Sequence, residues 1–346
     1  MNKEIGSDFH FDNPGRGSGI SFLNCVSQQA FVFSGRTAID TVLSQMPDAK
    51  TALLPSYCCD SMLQPFKDAG VSLGFYEVRY DNGLQINPDI PENTDIFVWC
   101  NYFGYKHQFP DLTEYKLHGG IVIEDITHSM LSNEAFHDQS DFLVASVRKW
   151  EPINCGGYCA AKHGSLKGIP TKEPSDKFIK SKKEAMSLKA DYLIDGDETK
   201  KPIFLSKFKE CNDWLAKNYH GLCIDSESRE YIGHVDVDAQ RNARRNNAKA
   251  LYNGLKDCNT IYPLFAEREM DCPLFVPVII VGKRRDKIRK TLIEKDIYCP
   301  VHWPHPDACC ESNLYDMELS LICDQRYTES DMEKIIDFLK KCDREI

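Results

Sequence analysis

The sequence predicts an α/β fold built on a large and mostly parallel sheet. Short apolar runs typical of buried strands alternate along the chain with segments of helical spacing, which is the pattern of βαβ units. Several runs stop at polar residues, as strands do at the ligand-binding edge of a parallel sheet. A length of 346 residues suits two domains, or one large α/β unit with an appendage.

The first 30 residues are expected to form an arm and an opening helix. Gly15, Gly17 and Gly19 invite comparison with a dinucleotide-binding loop, but they follow no strand, and such a motif alone is weak. We interpret these glycines as a flexible bend.

A strand-to-helix turn is predicted next. Residues 31–33 form a short apolar strand, Ser34 and Gly35 follow, and residues 37–43 have helical apolar spacing. The free backbone N–H groups and the dipole at such a helix start attract anions. The turn therefore predicts an anion site, with simple N-capping by Ser34 as the alternative.

The central stretch, residues 121–157, carries the chemistry. The apolar run 121–123 stops shortly before Asp125, and the run 142–145 stops shortly before Lys149. Both runs thus deliver a polar group to the same edge of the sheet. A desolvated lysine can form a Schiff base with an aldehyde, and a carboxylate can hold the ring nitrogen of a pyridine cofactor protonated. The pair suits pyridoxal phosphate (PLP); the alternative is two ordinary solvated charges at strand ends.

This stretch resembles the DegT/DnrJ/EryC1/StrS family of PLP-dependent aminotransferases. The resemblance rests on three motifs, Asp125-Ile126-Thr127-His128-Ser129, Ser146-Val147-Arg148-Lys149-Trp150 and Gly156-Gly157. It implies an aspartate-aminotransferase-like fold, PLP fold type I, with a large mostly parallel-sheet domain and a small C-terminal α+β domain. The resemblance spans nearly the whole chain except residues 165–235.

The resemblance also implies a role for each matching residue. Lys149 would hold the cofactor and act as acid and base, and Asp125 would keep the pyridine nitrogen protonated. His128 would contact the ring oxygen of the cofactor or stabilise the site beside Asp125. The cofactor phosphate would be bound by Gly35, Arg36, Thr37 and Ser146. Tyr57 would stack on the ring; a register shift would offer Cys59 instead, and a tyrosine that only packs is the alternative.

Residues 171–220 are rich in charge and poor in aliphatic side chains, which predicts one or two amphipathic helices with a charged outer face. Here the chain departs from the family. The family's "G-x-N-x-R" stretch, which reaches across a dimer to the neighbouring cofactor, has no clean copy, and residues 233–236 are the nearest candidate. The cofactor is therefore better supported than the substrate.

The C-terminal part has its own β-α-β-α order. A helix is predicted over residues 241–255, followed by a strand at 273–281, a helix at 286–295, a strand or loop at 297–303 and a closing helix at 329–340. The motifs "V-H-W-P" at 301–304 and "D-Q-R-Y" at 324–327 match the family's C-terminal domain. We predict a large PLP-binding domain at 1–235, with a charged helical insertion at about 165–235, and a small C-terminal domain at 236–346.

Composition excludes several classes of protein. A net charge of −10 and a pI near 5.5 argue against nucleic acid as a partner. The N-terminus has no apolar signal-peptide core, and the longest nearly apolar stretch, 273–281, is too short to span a membrane. Fifteen scattered cysteines indicate reduced thiols. We expect a cytoplasmic protein without a membrane partner.

A cluster of cysteines and histidines near the C-terminus has spacing that could serve zinc: Cys299, His302, His305, Cys309 and Cys310. Three prolines in the same segment predict an extended loop instead of a metal-binding knuckle. We therefore predict no metal site and a substrate-facing loop, with His302 and Trp303 near the cofactor, as the resemblance implies.

The sequence thus predicts a homodimeric PLP-dependent aminotransferase. It would move an amino group from an amino acid such as glutamate to a keto-sugar nucleotide or a related keto substrate. One alternative is a PLP-dependent lyase or dehydratase on the same fold. The other is a non-catalytic regulatory or scaffold protein, against which the intact Lys149 and Asp125 argue, because a scaffold needs neither.

Overall fold

The structure, a computed structural model, describes residues 4–13, 15–22, 24–306 and 311–344. Its strands within these residues are β1 (Ile5–Gly6), β2 (Gln28–Val32), β3 (Thr51–Pro55), β4 (Ser72–Tyr80), β5 (Leu84–Asn87), β6 (Ile96–Cys100), β7 (Ile121–Asp125), β8 (Phe142–Ser146), β9 (Gly157–Ala161), β10 (Ile261–Pro263), β11 (Val276–Ile280), β12 (Ile297–Tyr298) and β13 (Glu318–Leu321). The α-helices of the same part are α1 (Gly35–Leu43), α2 (Asp60–Asp68), α3 (Thr113–Leu117), α4 (Asp176–Asp195), α5 (Lys200–Lys217), α6 (Ser226–Ile232), α7 (Val237–Leu255), α8 (Arg285–Ile293), α9 (Leu314–Met317) and α10 (Glu329–Arg344).

Eight strands form the large sheet, in the order β2-β9-β8-β7-β6-β3-β4-β5. The strands β4, β3, β6, β7 and β8 are parallel to one another, which confirms the predicted α/β class. The strand β9 is antiparallel to both β8 and β2, so β2 runs in the same direction as β8. The carboxyl ends of β2, β3, β6, β7 and β8 therefore meet at one edge.

The register of the sheet sets the positions of the polar residues at that edge. Cys100 is paired with Asp125, and Ser146 is paired with Gly157. The strand β6 is buried along its whole length because both faces of the sheet are covered. One face packs against α1 and α2 through residues such as Val42 and Phe66. A second core, which includes Trp150, covers the other face.

The C-terminal part has a separate core. The strands β10, β11 and β13 form an antiparallel sheet, and α7 and α10 pack against each other. The helix α7 buries Ala248, Leu251 and Leu255, whose spacing places them on one helical face. The N-terminal strand β1 joins this region because it pairs in parallel with β12.

The predicted opening helix is wrong. Within the described part of residues 1–30 the chain forms β1, an extended arm and the start of β2. The arm is held by backbone hydrogen bonds, in which Gly17 N–H donates to His234 O at 2.9 Å and Gly19 N–H donates to Val235 O at 3.1 Å. A Cβ atom at Gly17 would lie 2.1 Å from Val235 O. The glycines thus allow close docking of the arm, where we had predicted a flexible bend.

The charged insertion consists of the helices α4 and α5, which pack against each other and bury Ala185, Met186, Tyr192, Phe204 and Phe208. Their exposed residues are mostly charged, as the sequence predicted, but Ile194, Ile203 and Leu205 are exposed as well. No helix among the described residues is long and apolar enough to cross a membrane.

Candidate active site

A cavity of about 170 Å³, the first cavity, lies at the carboxyl edge of the large sheet. It is lined by six of the predicted site residues: Gly35, Arg36, Asp125, His128, Ser146 and Lys149. These residues come from the ends of β2, β7 and β8, so the parallel order of the sheet brings them together. Thr37 and Tyr57 are the two predicted residues that do not line it.

One corner of the first cavity is built to receive an anion. We call it the anion corner, and it comprises Gly35, Arg36, Ser146 and Arg148. The helix α1 begins here, so its first backbone N–H groups are available to a ligand. The buried Nε atoms of Arg36 and Arg148 have no hydrogen-bond partner among the described residues. Unpartnered buried donors are costly, and an oxyanion bound here would satisfy them.

Gly157 keeps the β2–α1 turn tight. A Cβ atom at this position would lie 2.0 Å from the carbonyl oxygen of Ser34, which is backbone and cannot move aside cheaply. The Ser34 hydroxyl accepts a hydrogen bond from the N–H of Thr37 at 3.2 Å and so caps α1. N-capping by Ser34 is therefore present at this turn, and binding of an anion beside it stays a prediction.

The structure corrects the prediction for the Thr37 side chain. Its hydroxyl is buried and donates to the carbonyl oxygen of Tyr219 at 2.7 Å, away from the wall of the first cavity. Thr37 thus anchors the segment after α5 onto α1. The sequence predicted the strand-to-helix turn correctly. It does not show that the Thr37 hydroxyl donates to the carbonyl oxygen of a residue far away in the chain.

Asp125 ends β7 and is half-buried in the wall of the first cavity. Its Oδ1 atom accepts a hydrogen bond from the N–H of Thr127 at 2.8 Å. Burial raises the pKa of Asp125, while the Thr127 hydrogen bonds and the charge of Lys149 act in the opposite direction. A cationic partner in the cavity would stabilise this carboxylate, as a protonated pyridine nitrogen does.

Lys149 lies in the 3-10 turn Val147–Lys149 that follows β8. Its Nζ atom is 3.4 Å from Nε2 of His128 and 5.7 Å from the ring centre of Trp303. The Nδ1 atom of His128 accepts a hydrogen bond from Phe103 N–H at 3.1 Å. A neutral His128 therefore carries its hydrogen on Nε2, toward Lys149. Burial and the Lys149 charge hold the pKa of His128 well below its usual value.

The structure also corrects the prediction for Tyr57. Its ring is fully buried and packs on Tyr102, Trp303 and Tyr315, with ring centres 5.8, 5.0 and 5.1 Å away. Tyr57 thus only packs, which was the stated alternative. Cys59, the register-shifted candidate, does line the first cavity.

Trp303 lines the first cavity and stacks on His128, with ring centres 5.6 Å apart and planes at 25°. It comes from the C-terminal segment that we expected to face the substrate. That prediction therefore agrees with the placement of Trp303. His302, its neighbour, is buried, and its Nδ1 atom lies 2.7 Å from the hydroxyl of Ser320.

Glu124 supports the site but was not recognised from the sequence. It is fully buried beside Asp125 and accepts hydrogen bonds from Asn101 Nδ2 at 2.7 Å and from the backbone N–H of His137 at 2.9 Å. Its Oε1 atom also lies 2.8 Å from His137 Nδ1. A carboxylate in an otherwise apolar strand was the available clue, since a buried charge needs such partners.

The donor set of the first cavity fits PLP. Asp125 can face a pyridine nitrogen, Lys149 can face an aldehyde, and the anion corner can hold a phosphate. No group of His, Cys, Asp and Glu in the described part of the chain has the geometry of a metal site. Cys309 and Cys310, which we weighed as metal ligands, lie outside the described residues.

Neither a protein-family model nor a curated protein matches the chain by sequence. By fold it is similar to Spr1654 from Streptococcus pneumoniae in its PLP form, with a TM-score of 0.67, 12% identity and 99% of each chain covered. It is also similar to DesI, solved with its TDP-sugar product, with a TM-score of 0.64 and 14% identity over 92% of this chain and 81% of DesI.

A third similar structure is the sugar aminotransferase CalS13 from Micromonospora echinospora, with a TM-score of 0.58 and 14% identity over 90% of this chain and 87% of CalS13. These likenesses cover nearly the whole chain, although few residues are identical. The chain therefore has the fold of these proteins, which confirms the predicted aspartate-aminotransferase-like architecture.

Proposed function

We propose that the protein is a PLP-dependent aminotransferase that moves an amino group from an amino acid to a keto-sugar nucleotide or a related keto substrate. The observation that carries the proposal is the presence of Lys149 and Asp125 in one cavity with the anion corner. The similar fold of Spr1654 in its PLP form and of the sugar aminotransferase CalS13 supports it.

Each end of the first cavity has its own task. The anion corner binds the phosphate through the first N–H groups of α1, the Ser146 hydroxyl and the Arg36 and Arg148 guanidiniums. Asp125 binds the protonated ring nitrogen. PLP, when bound, supplies an electron sink for negative charge at the carbon that bears the amine. Holding the ring nitrogen protonated is how Asp125 strengthens that effect.

Lys149 would hold the cofactor through its Nζ atom. Once a substrate amine has taken its place, the free Nζ atom would be the base that receives the proton of the substrate carbon and the acid that gives it back. His128 donates from Nε2 and lies within 3.4 Å of that atom, so it fixes the position of the amine. Trp303 stacks on His128 and covers it from solvent.

The acceptor, the assembly and the location are part of the same proposal. DesI was solved with a TDP-sugar product, which supports a nucleotide sugar as the acceptor. The sequence resemblance to the aminotransferase family supports a homodimer, and the fifteen scattered cysteines, expected as reduced thiols, support a cytoplasmic location. The donor is an amino acid such as glutamate.

A half-reaction tests the proposed activity. Purified protein loaded with PLP is mixed with glutamate, and the products are measured by mass spectrometry. We expect one 2-oxoglutarate and one pyridoxamine phosphate per site. A lyase or dehydratase would instead break down the amino acid and leave PLP unchanged, and a scaffold would give no product. Lys149→Ala should abolish the reaction, whereas Lys180→Ala, at an exposed position of α4, should not.

A further inference from the structure

A second cavity, of about 370 Å³, adjoins the first, because Arg148 and Lys149 line both. Its volume is in the range of small-molecule sites. Five cationic side chains line it, Arg148, Lys149, Lys182, Arg244 and Arg326, against three carboxyl side chains, Asp8, Glu151 and Asp324. Any molecule in this cavity lies beside Lys149 and among an excess of cations.

The outer wall of the second cavity comes from the N-terminal arm and the insertion helix α4. Residues 7–9 line the cavity together with Lys182 and Met186 of α4. The arm is fastened to this helix, because Phe11 N–H donates to Met186 O at 3.2 Å and Lys189 Nζ donates to Asp8 O at 2.6 Å. The insertion therefore contributes side chains directly to a space next to Lys149.

Lys182 of this wall has few polar partners. It is 6% exposed, and its Nζ atom lies over the ring of Phe208 at 4.3 Å. The nearest carboxylate oxygen, Oδ1 of Asp8, is 3.8 Å away, which is beyond hydrogen-bond distance. An ammonium group has three donors, and those of Lys182 have no hydrogen-bond partner among the described residues.

Arg244 is in a similar position. It is fully buried, and its guanidinium stacks on Trp150 at 4.4 Å. Its Nη1 atom donates to the carbonyl oxygens of Pro273 and Leu274 at 3.3 and 3.1 Å. The Nε and Nη2 atoms have no partner within the described part of the chain. A buried arginine whose N–H groups lack acceptors lowers the stability of the folded protein, unless a ligand or an opposite charge binds to it.

The three carboxyl groups of the cavity do not balance its five cations. Asp324 is bound to Arg326, at 2.8 and 2.9 Å. Glu151 accepts from Gln240 at 3.1 Å, and burial raises its pKa to about 8, so it carries a proton at neutral pH. Asp8, the third carboxyl group, forms an ion pair with Lys182 at 3.8 Å. With Glu151 protonated, two carboxylates face five cationic side chains, so an excess of positive charge remains for a bound molecule.

We propose that the second cavity binds the carboxylates of an acidic amino donor or of its 2-oxo acid, and that Lys182 selects a dicarboxylate over a monocarboxylate. The reactive carbon of the donor must lie near Lys149, which places its acid groups among these cations. The identity of the ligand as a donor rests on the proposed function. Binding of carboxylates by the cavity does not, because Lys182 and Arg244 do not line the first cavity.

Equilibrium binding of an unreactive dicarboxylate tests this inference. Glutarate and its monoamide, glutaramate, are titrated by calorimetry into the protein with PLP and into the protein without it. We expect glutarate to bind more tightly than glutaramate. Lys182→Met should weaken glutarate about tenfold or more and leave glutaramate little changed. Lys182→Arg should retain glutarate binding, and Lys180→Met, an exposed control on the same helix, should not alter it.

Three results would overturn the inference: no glutarate binding to the wild-type protein at millimolar concentration, equal affinity for glutaramate, or unchanged affinity in a folded Lys182→Met variant. UDP is titrated as a further probe. A stronger dependence of UDP than of glutarate on Lys182 would assign the cavity to a diphosphate and also overturn it. Failure of PLP to bind, with Lys182-dependent glutarate binding intact, would remove the proposed function and leave the carboxylate site standing.

Discussion

His128 presents Nε2 to Nζ of Lys149 at 3.4 Å, while its Nδ1 atom accepts from the backbone N–H of Phe103 at 3.1 Å. The backbone bond fixes the tautomer, so the neutral ring always turns its hydrogen toward the lysine. Its pKa lies well below the usual value because of burial and the Lys149 charge, and it therefore stays neutral at physiological pH. His128 thus positions Lys149 without itself titrating.

This relationship predicts the effect of His128→Asn. Glutamate-dependent amination of bound PLP should slow about tenfold to a hundredfold, because the hydrogen bond that Nε2–H of His128 donates to the neutral, reacting amine of Lys149 is lost. The pH profile of the variant should keep its shape between about pH 6 and 8. Single-turnover kinetics across this range provide the measurement. The opposite result would be a change of rate near about pH 6.5 in the wild type that is absent from the variant, which would show that His128 titrates in this range.

Asp125→Asn should lower the activity without lowering the stability of the protein. The variant should lose at least about a hundredfold in the half-reaction, because an amide cannot keep the ring nitrogen protonated. Burial raises the pKa of Asp125 in the folded protein, so its ionised form lowers stability above the pKa of the unfolded chain. Without PLP the variant should therefore melt at the same temperature as the wild type or higher. A less stable variant would indicate that Asp125 is a structural anchor.

The anion corner predicts a loss of cofactor affinity in Arg36→Met. The buried Nε atom of Arg36, at the start of α1, has no hydrogen-bond partner in the part of the chain that the structure describes, so removal of this guanidinium should weaken PLP about tenfold or more. Arg16→Met, at an exposed position of the arm, is the matched control and should bind PLP normally. Fluorescence titration with PLP measures both. Equal affinities of the two variants would place the phosphate elsewhere.

Glu151 predicts a pH dependence of stability in the absence of ligands. Its pKa is raised to about 8 by burial from an ordinary value of 4.5, so the folded state keeps a proton that the unfolded state releases. The free energy of unfolding is therefore highest below the pKa that Glu151 has in the unfolded chain. It decreases as the pH rises toward the pKa of Glu151 in the folded protein. In Glu151→Gln the free energy of unfolding should fall less steeply with pH, by up to about 1.4 kcal/mol per pH unit.

Urea unfolding at about pH 5, 6.5 and 8 measures these slopes for the wild type and Glu151→Gln. Glu227→Gln serves as the control, because the Glu227 side chain is 58% exposed and its only described ion pair is with Lys183. Parallel pH slopes for the wild type and Glu151→Gln would contradict the assignment.

The sequence was most informative where the chain is locally regular. Continuous apolar runs located the central strands β7 and β8, and their polar ends located Asp125 and Lys149. The short strand β5 was missed, because it is partly exposed and antiparallel, with no continuous apolar run.

Residues whose partners are distant in the sequence could not be placed. Tyr57 packs on Tyr315, and the Thr37 hydroxyl donates a hydrogen bond to the carbonyl oxygen of Tyr219. A local motif predicts that an aromatic or a hydroxyl lies near the site, but only the tertiary fold determines whether it faces the cavity. For the same reason the sequence did not identify Lys182 as a site residue. It lines the second cavity from α4, which the sequence predicted only as part of a charged insertion.

Covalent attachment of the cofactor tests the central claim most directly. The protein is incubated with PLP, treated with borohydride and digested, and the peptide that gains the cofactor mass is identified by mass spectrometry. We predict that the mass appears on the peptide containing Lys149 and is absent in Lys149→Ala, while the exposed-site variant Lys180→Ala behaves as the wild type. Attachment at another lysine, or equal labelling of Lys149→Ala, would contradict the account.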